Sequence, residues 1–142
     1  HDVIITVGFF SIFWLPFDLS VVAAVLAVIG YSLNDTVVTF DRIRENFIRL
    51  RGTSAVDSIN RSVNDVLSRT IVTGITTLIV LVALLLLGGE SVAGFSIALI
   101  VGILVGTYSS VFTASAIAIY LDVNPDDLLP ASQNPDLIDD LP

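Results

Sequence analysis

Long apolar stretches alternate with short polar breaks along the chain, and they predict helices that cross a membrane. A bilayer core of about 30 Å takes roughly 20 mostly apolar helical residues. Four stretches reach or approach this length, at 3–17, 19–40, 70–87 and 92–121. The first is short, and the last is longer than a span needs. We therefore expect an all-α integral membrane fold with four transmembrane helices, bundled over residues 1–121.

The breaks between these stretches predict two helical hairpins. Pro16 and Asp18 separate the first two stretches, and a proline disfavours a continuous helix. Gly88, Gly89 and Glu90 separate the last two. Because both breaks are short, the helices of each pair are expected to run antiparallel.

Composition agrees with lipid as the main solvent of this chain. Charged residues make up 14% of it, against about a quarter in an ordinary soluble domain, and the mean hydropathy is +0.91. The net charge of −8 says little about partners, because many acidic residues lie in the stretch 122–142. We predict that this stretch is a flexible acidic tail in the cytoplasm. Since the chain opens on an apolar stretch without Met, we expect a fragment of a longer protein.

The basic residues define the expected orientation. All six are arginines, and all lie between Arg42 and Arg69. By the positive-inside rule, the connection 41–69 is cytoplasmic, and four spans then place both ends of the chain in the cytoplasm too. The turns at Pro16–Asp18 and Gly88–Glu90 carry no basic residue and are expected on the other side.

The connection 41–69 is predicted to be helical. Ile43, Phe47 and Leu50 recur at helical spacing, and Ser54 followed by Asp57 is typical of a helix start. A further apolar face follows, formed by Val56, Ile59, Val63 and Val66. This face fits a helix that lies on the membrane surface, and it fits equally a helix that packs on neighbours in the same chain.

Asp35 is the most informative residue, because it is a carboxylate inside an apolar stretch. A charge near the middle of a membrane helix costs about 2.5–3.5 kcal/mol on insertion scales. Asp35 precedes Arg42 by seven residues, which places it about 10 Å inside the cytoplasmic boundary. Helical spacing puts Tyr31, Ser32 and Thr39 on its face. Two interpretations are open: proton or ion handling, or a hydrogen bond that fixes helix packing.

Arg69 is the candidate cation for Asp35. It opens the third apolar stretch, and Thr73, Thr76 and Thr77 follow it. Its long side chain can extend into the membrane core. Two alternatives compete with a pair to Asp35, since Arg69 can bind Asp65 one turn earlier or reach lipid headgroups.

Small residues recur at every fourth position of the last stretch and predict close helix packing. This small-residue stripe comprises Gly94, Ala98, Gly102, Gly106, Ser110, Ala114 and Ala118. It fits static packing, and it fits a face on which helices slide during a transport cycle. Tyr108, Ser109 and Thr113 add hydroxyl groups on and beside the stripe that can hold water.

Other chemistry is predicted to be absent. His1 is the one histidine in the sequence and there is no cysteine, so the sequence offers no metal cluster, catalytic triad or disulfide. It has neither a Walker-type phosphate loop nor a basic patch outside 42–69. We therefore expect no enzyme activity, no catalytic or metal-binding residues, no cofactor and no nucleic-acid partner.

One segment is specific enough to suggest a family. The sequence GYSLNDTVVTFDRIREN at 30–46 resembles the signature of the SecF family, membrane subunits that work with SecD beside the bacterial protein-export channel. The motifs HD at 1–2, LSRT at 67–70, GFS at 94–96 and GTYSS at 106–110 fit in order. The resemblance covers about residues 1–123. Leu33 and Thr39 are minor departures that leave the chemistry unchanged.

The resemblance implies a function. SecF resembles half of a resistance-nodulation-division transporter, and this chain would be its last four spans. Its partners would be SecD, the Sec translocon channel, preprotein substrates and lipid of the bacterial cytoplasmic membrane. A proton or sodium gradient would drive preprotein export through Asp35 and Arg69. Residues that could line the ion path are Ser32, Thr39, Thr73, Tyr108 and Ser109. A translocon scaffold without ion coupling and an exporter of the same superfamily are the alternatives.

Overall fold

The fold is entirely helical within the residues that the computed structural model describes, 1–50, 53–121 and 123. Those residues contain five α-helices and one π-helical turn, and no strand. The elements are α1 (Asp2–Ile12), α2 (Leu19–Arg49), α3 (Ala55–Leu87), α4 (Glu90–Tyr108), the π turn (Ser109–Thr113) and α5 (Ala114–Tyr120). The predicted all-α class is confirmed. The predicted acidic tail lies outside the described residues, except for Val123.

Three helical segments are long and apolar enough to cross a membrane. They are α2, α3 and the continuous rod from α4 through the π turn to α5, Glu90–Tyr120. The fourth predicted span, 3–17, forms α1, which has 11 residues and a length of about 16 Å. A crossing by this short helix stays a prediction.

The end of α1 has a local cause. The helix stops at Ile12, five residues before the end of the apolar stretch, because Pro16 has no backbone N–H to continue it. Trp14 adopts a left-handed backbone with φ of 53°, and the Leu15 amide donates to the Phe10 carbonyl at 3.0 Å. The chain then turns into α2 within a few residues.

Polar side chains and glycine build the two tight turns. Asp18 caps α2, since its Oδ1 accepts hydrogen bonds from the Ser20 hydroxyl at 2.6 Å and the Val21 amide at 3.0 Å. These bonds lower the pKa of the Asp18 carboxyl, with that from Ser20 the larger cause. At the other turn, Gly89 precedes α4 with φ of 77°, a conformation that favours glycine.

The connection 41–69 consists of the ends of the two longest helices. With 31 and 33 residues, α2 and α3 are about 47 and 50 Å long, well beyond the bilayer core of about 30 Å. Ser54 starts α3 as predicted, because its Oγ accepts a hydrogen bond from the Asp57 amide at 3.1 Å. Beyond the spans, α2, α3 and α5 share an apolar cluster formed by Ile43, Phe47, Ile59 and Ala118.

This cluster favours one of the two interpretations of residues 55–69. Ile59 and Val66 are buried and Val63 is partly buried, so this part of α3 packs on neighbours in the same chain. Val56 is 45% exposed, and its assignment to the same face was wrong. Because α3 continues unbroken to Leu87, residues 55–69 are not a separate helix on a membrane surface.

The small-residue stripe lies against α2. Gly102 packs so closely that an added Cβ would overlap Val28 Cγ2 and lie 2.7 Å from Val28 Cγ1. A Cβ at Gly94 would lie 3.2 Å from Val21 Cγ2. Of the other stripe residues, Ala98, Gly106, Ser110 and Ala118 are buried. The two helices therefore approach at a distance that larger side chains would prevent.

Candidate functional site

Polar side chains gather where α2, α3 and α4 pack inside the apolar part of the bundle. Tyr31 and Asp35 come from α2, Thr77 from α3 and Thr107 from α4. Gly74 of α3 leaves room for them, because a Cβ there would lie 3.3 Å from Thr107 Oγ1 and 3.8 Å from the Tyr31 hydroxyl oxygen. We call this group the polar cluster.

Asp35 is buried in the bundle, with 8% of its surface exposed. Its Oδ2 atom is fully enclosed and accepts no hydrogen bond from any described residue. The Thr39 hydroxyl donates to the Asp35 backbone carbonyl at 3.0 Å and so does not satisfy the carboxylate. An enclosed carboxylate oxygen without a donor is costly, and a proton or a cation would relieve that cost.

The Tyr31 hydroxyl is a second polar group in this cluster without a hydrogen bond among the described residues. It lies one helical turn before Asp35 and near the hydroxyls of Thr77 and Thr107. The Thr77 hydroxyl already donates to the Thr73 carbonyl at 2.8 Å. The polar cluster therefore contains unused hydrogen-bonding capacity next to a buried acid.

Arg69 does not form the expected ion pair with Asp35. Its side chain is exposed, and within the described part of the chain it has no acidic group within 4.0 Å. The helix face explains this, because Val66, Thr70 and Gly74 point α3 into the core and Arg69 lies beside that face. The electric field of Arg69 nevertheless reaches Asp35.

Asp65 does not bind Arg69 either, because Arg42 of α2 occupies it. Nε and Nη2 of Arg42 donate to Asp65 Oδ2 at 3.0 and 2.8 Å. The Asn46 amide donates to the same oxygen at 3.2 Å and to the Ser62 hydroxyl at 2.9 Å. The bonds from Asn46 and then Arg42 lower the pKa of the Asp65 carboxyl. Neither alternative partner considered for Arg69 within the chain is therefore bound to it.

The remaining residues predicted to line an ion path are dispersed. The Thr73 hydroxyl donates to the Arg69 carbonyl at 2.9 Å on an exposed face of α3. Ser109 is buried, and its hydroxyl lies 3.3 Å from the Gly106 carbonyl. Tyr108 is 59% exposed and stacks on Phe112 at a ring-centroid distance of 5.2 Å. Of these, Tyr108 and Thr73 lie outside the buried polar cluster.

Ser32 leads to a residue that the sequence analysis missed. Its hydroxyl donates to Oδ2 of Asp2, whose side chain is 11% exposed. A Cβ at Gly106 of α4 would lie 3.7 Å from the same oxygen. Ser32 precedes Arg42 by ten residues, so α1 begins about 15 Å short of the arginine level along α2. The only sequence signal was a polar residue at the start of an apolar stretch.

The fold and the buried acid define a polytopic helical membrane protein with a polar cluster between its helices. A family model described as "Protein export membrane protein SecD/SecF, C-terminal" matches residues 1–124. The chain therefore belongs to the SecD/SecF family, and it corresponds to a C-terminal fragment of SecF.

Relatives and a solved structure agree with this assignment. The chain is 51% identical over 142 residues to protein translocase subunit SecF of Pseudomonas aeruginosa, covering 100% of this chain and 46% of the relative. It is 49% identical to SecF of Haemophilus influenzae, again covering 100% of this chain and 43% of the relative. The chain thus spans less than half the length of these relatives.

The solved structure is the crystal structure of SecDF in its super-membrane-facing form. It matches with a TM-score of 0.82 and 46% sequence identity, over 86% of this chain and 17% of the other. The helical arrangement described above is therefore that of a SecDF membrane region.

Proposed function

We propose that this chain is the C-terminal membrane part of an accessory subunit of Sec-dependent protein translocation. In this proposal, the subunit couples proton or sodium flow across the membrane to preprotein export. The observation that carries it is the enclosed Asp35 Oδ2, which has no donor among the described residues. The names of the relatives, protein translocase subunit SecF, supply the export context.

Asp35 is the ion-binding group in this proposal. A proton on Oδ2 removes a charge from the bundle interior, where an unpaired charge is unfavourable. Arg69 senses the change, because its field reaches Asp35 without a direct contact. Loading and unloading the proton would alternately weaken and strengthen their attraction, and this would bias how α2 and α3 sit against each other.

The membrane arrangement belongs to the same proposal. The chain would supply four spans in two hairpins, with the arginine-rich ends of α2 and α3 in the cytoplasm. It would form part of a transporter half of the resistance-nodulation-division type in the bacterial cytoplasmic membrane. SecD, the translocon channel and preproteins are the proposed partners. Leu26, Leu33 and Val37 are 59–65% exposed on α2, which suits contact with lipid or another subunit.

The decisive variant is Asp35→Asn in the full-length protein, reconstituted with its partner subunit in vesicles. Asparagine keeps the shape of the side chain and cannot ionise, so gradient-driven preprotein transport and ion conductance should both be lost. Asp41→Asn is the matched control, because Asp41 is an exposed carboxylate on the same helix. It should behave as wild type.

A scaffold without ion coupling is the second candidate. The close contact between Gly102 and Val28 favours it, since such packing suits a fixed assembly. If Asp35→Asn retains gradient-driven transport and conductance, the coupling proposal is wrong and the scaffold explains the chain better. An exporter of the same superfamily would instead conduct ions normally and fail to stimulate preprotein transport.

A further inference from the structure

A second carboxylate lies within the bundle, one helical turn from Asp35. Asp2 is 11% exposed at its side chain, and Oδ2 accepts the hydrogen bond of Ser32 on α2. Its other oxygen, Oδ1, lies 2.7 Å from Nδ1 of His1. Gly106 of α4 closes the remaining side, since a Cβ there would lie 3.7 Å from Oδ2. Three helices thus enclose one acid.

The arrangement holds an exchangeable proton. When His1 is protonated, imidazolium and carboxylate form a pair with no net charge, which a medium of low dielectric tolerates. Removing one proton leaves the pair with a charge of −1, and adding one leaves it with a charge of +1. The His1 side chain is 43% exposed, so a proton can reach the imidazole from outside the described bundle.

The surroundings of the pair contain few other titratable groups. On α2, the nearest along the helix are Tyr31 and Asp35, one and three residues from Ser32. On α4, Tyr108 is two residues from Gly106, and its ring lies on the outer surface against Phe112. Asp35 is therefore the natural acceptor for a proton that leaves the pair toward the polar cluster.

We propose that His1 and Asp2 form a second proton-holding site in the membrane, connected to Asp35 through Ser32. Ser32 lies three residues, about 4.5 Å along the axis, from Asp35 and farther from the arginines. A proton from the non-cytoplasmic side reaches His1 and Asp2 first. It then leaves the O–H or N–H bond of the pair and forms an O–H bond on Asp35, so the negative charge moves in the opposite direction.

This inference rests on the proposed proton-coupling role of Asp35, and two independent measurements keep the two apart. The first is infrared spectroscopy of the full-length protein in lipid, which detects the C=O stretch of each protonated carboxyl group as the pH is varied. The second is proton flux in vesicles that contain the full-length protein and its partner subunit.

Asp2→Asn should remove one titrating C=O band, displace the Asp35 band, and lower proton flux at least about tenfold. Ser32→Ala should keep both bands and still lower the flux, because it breaks the connection without removing an acid. Asp2→Glu should restore the missing band and part of the flux. Asp18→Asn, which alters an exposed carboxylate and can keep its helix cap, should match wild type in both measurements.

Both changes in Asp2→Asn are required. An unchanged set of bands or wild-type flux in that variant overturns the proposal. If Asp2→Asn does not accumulate, His1→Gln decides, since it retains the carboxylate and removes its proton-sharing partner. Wild-type flux in His1→Gln also overturns the proposal. Asp35→Asn is measured in parallel: normal flux there contradicts the proposed function, whereas the infrared bands still report whether Asp2 titrates.

Discussion

Arg42 of α2 grips Asp65 of α3 through two donors, Nε at 3.0 Å and Nη2 at 2.8 Å from the same carboxylate oxygen. Arg42 also reaches Glu45 on its own helix at 2.5 Å. The pair joins the two longest helices just beyond their apolar segments. Asp65 is thereby withheld from Arg69, whose side chain stays exposed and within electrostatic reach of Asp35.

Removing this bond should produce a pH-dependent loss of stability. The Asn46 amide and the Arg42 guanidinium hold the pKa of Asp65 below its usual range, so its ionised form favours the folded state. The contribution is fully present at neutral pH and is lost as the pH falls below roughly 4, the ordinary value of an Asp carboxyl. Asp65→Asn should therefore lower the Tm slightly at pH 7 and match wild type at lower pH.

The check is thermal unfolding of the purified full-length protein across this pH range. Because the pair is exposed, the difference should also shrink at high salt. Asp41→Asn serves as the control for loss of one acid from this region. A difference between Asp65→Asn and wild type that persists unchanged into acid would show that the ion pair is not its source.

Asp35→Leu should leave the folded protein as stable as wild type or more stable. The carboxylate oxygen Oδ2 gains no hydrogen bond from the described residues, and a charge inside a membrane helix costs about 2.5–3.5 kcal/mol on insertion scales. An apolar residue of similar size avoids that cost. The measurement is the Tm of the full-length variant in detergent. A large decrease would mean that Asp35 clamps helices together, as the scaffold alternative requires.

Gly102→Ala should destabilise the contact between α2 and α4. The new Cβ would overlap the Val28 side chain, and overpacking of this kind costs about 1–3 kcal/mol. Gly8→Ala is the matched control, because a Cβ at Gly8 meets no atom within 4 Å. Denaturant unfolding of both variants gives the comparison.

The double variant Gly102→Ala with Val28→Ala tests the cause. Shortening Val28 should recover much of the lost stability, which a double-mutant cycle measures as a coupling between the two positions. Purely additive effects would place the strain elsewhere.

Ser54→Ala should loosen the beginning of α3. The Ser54 hydroxyl caps this helix by accepting from the Asp57 amide at 3.1 Å, and loss of such a cap costs about 0.5–2 kcal/mol. Hydrogen exchange should accelerate in the first turn of α3 and remain unchanged in the buried apolar half of the helix. Ser54→Asp, which can cap equally well, should restore the slow exchange. Uniform acceleration along α3 would contradict a local effect.

The helical fold and the burial of Asp35 could be predicted because each depends on local pattern. Apolar length indicates a membrane helix, and Pro16 and Gly89 mark its ends without knowledge of the tertiary structure. A carboxylate inside such a helix, with Tyr31 and Thr39 on the same face, predicts a buried position. The structure places Asp35 there, although its role in ion coupling stays a proposal.

Pairings between helices could not be predicted in the same way. Arg69 and Arg42 are both candidates for Asp65 by sequence, and the choice depends on how α2 and α3 rotate against each other. Asp2 was missed because its burial depends on α2 and α4 meeting at the start of α1. Spacing within one helix does not contain the rotation of another.

The π turn at Ser109–Thr113 has a consequence for how this chain can change length. Such a turn accommodates one extra residue within a helix. Deleting one residue there would convert the rod into a regular α-helix and rotate everything beyond it by about 100°. Ala118 would then leave Ile43, Phe47 and Ile59, the cluster that holds the arginine-rich ends together. The rod should accordingly tolerate substitutions in this turn far better than a change in its number of residues.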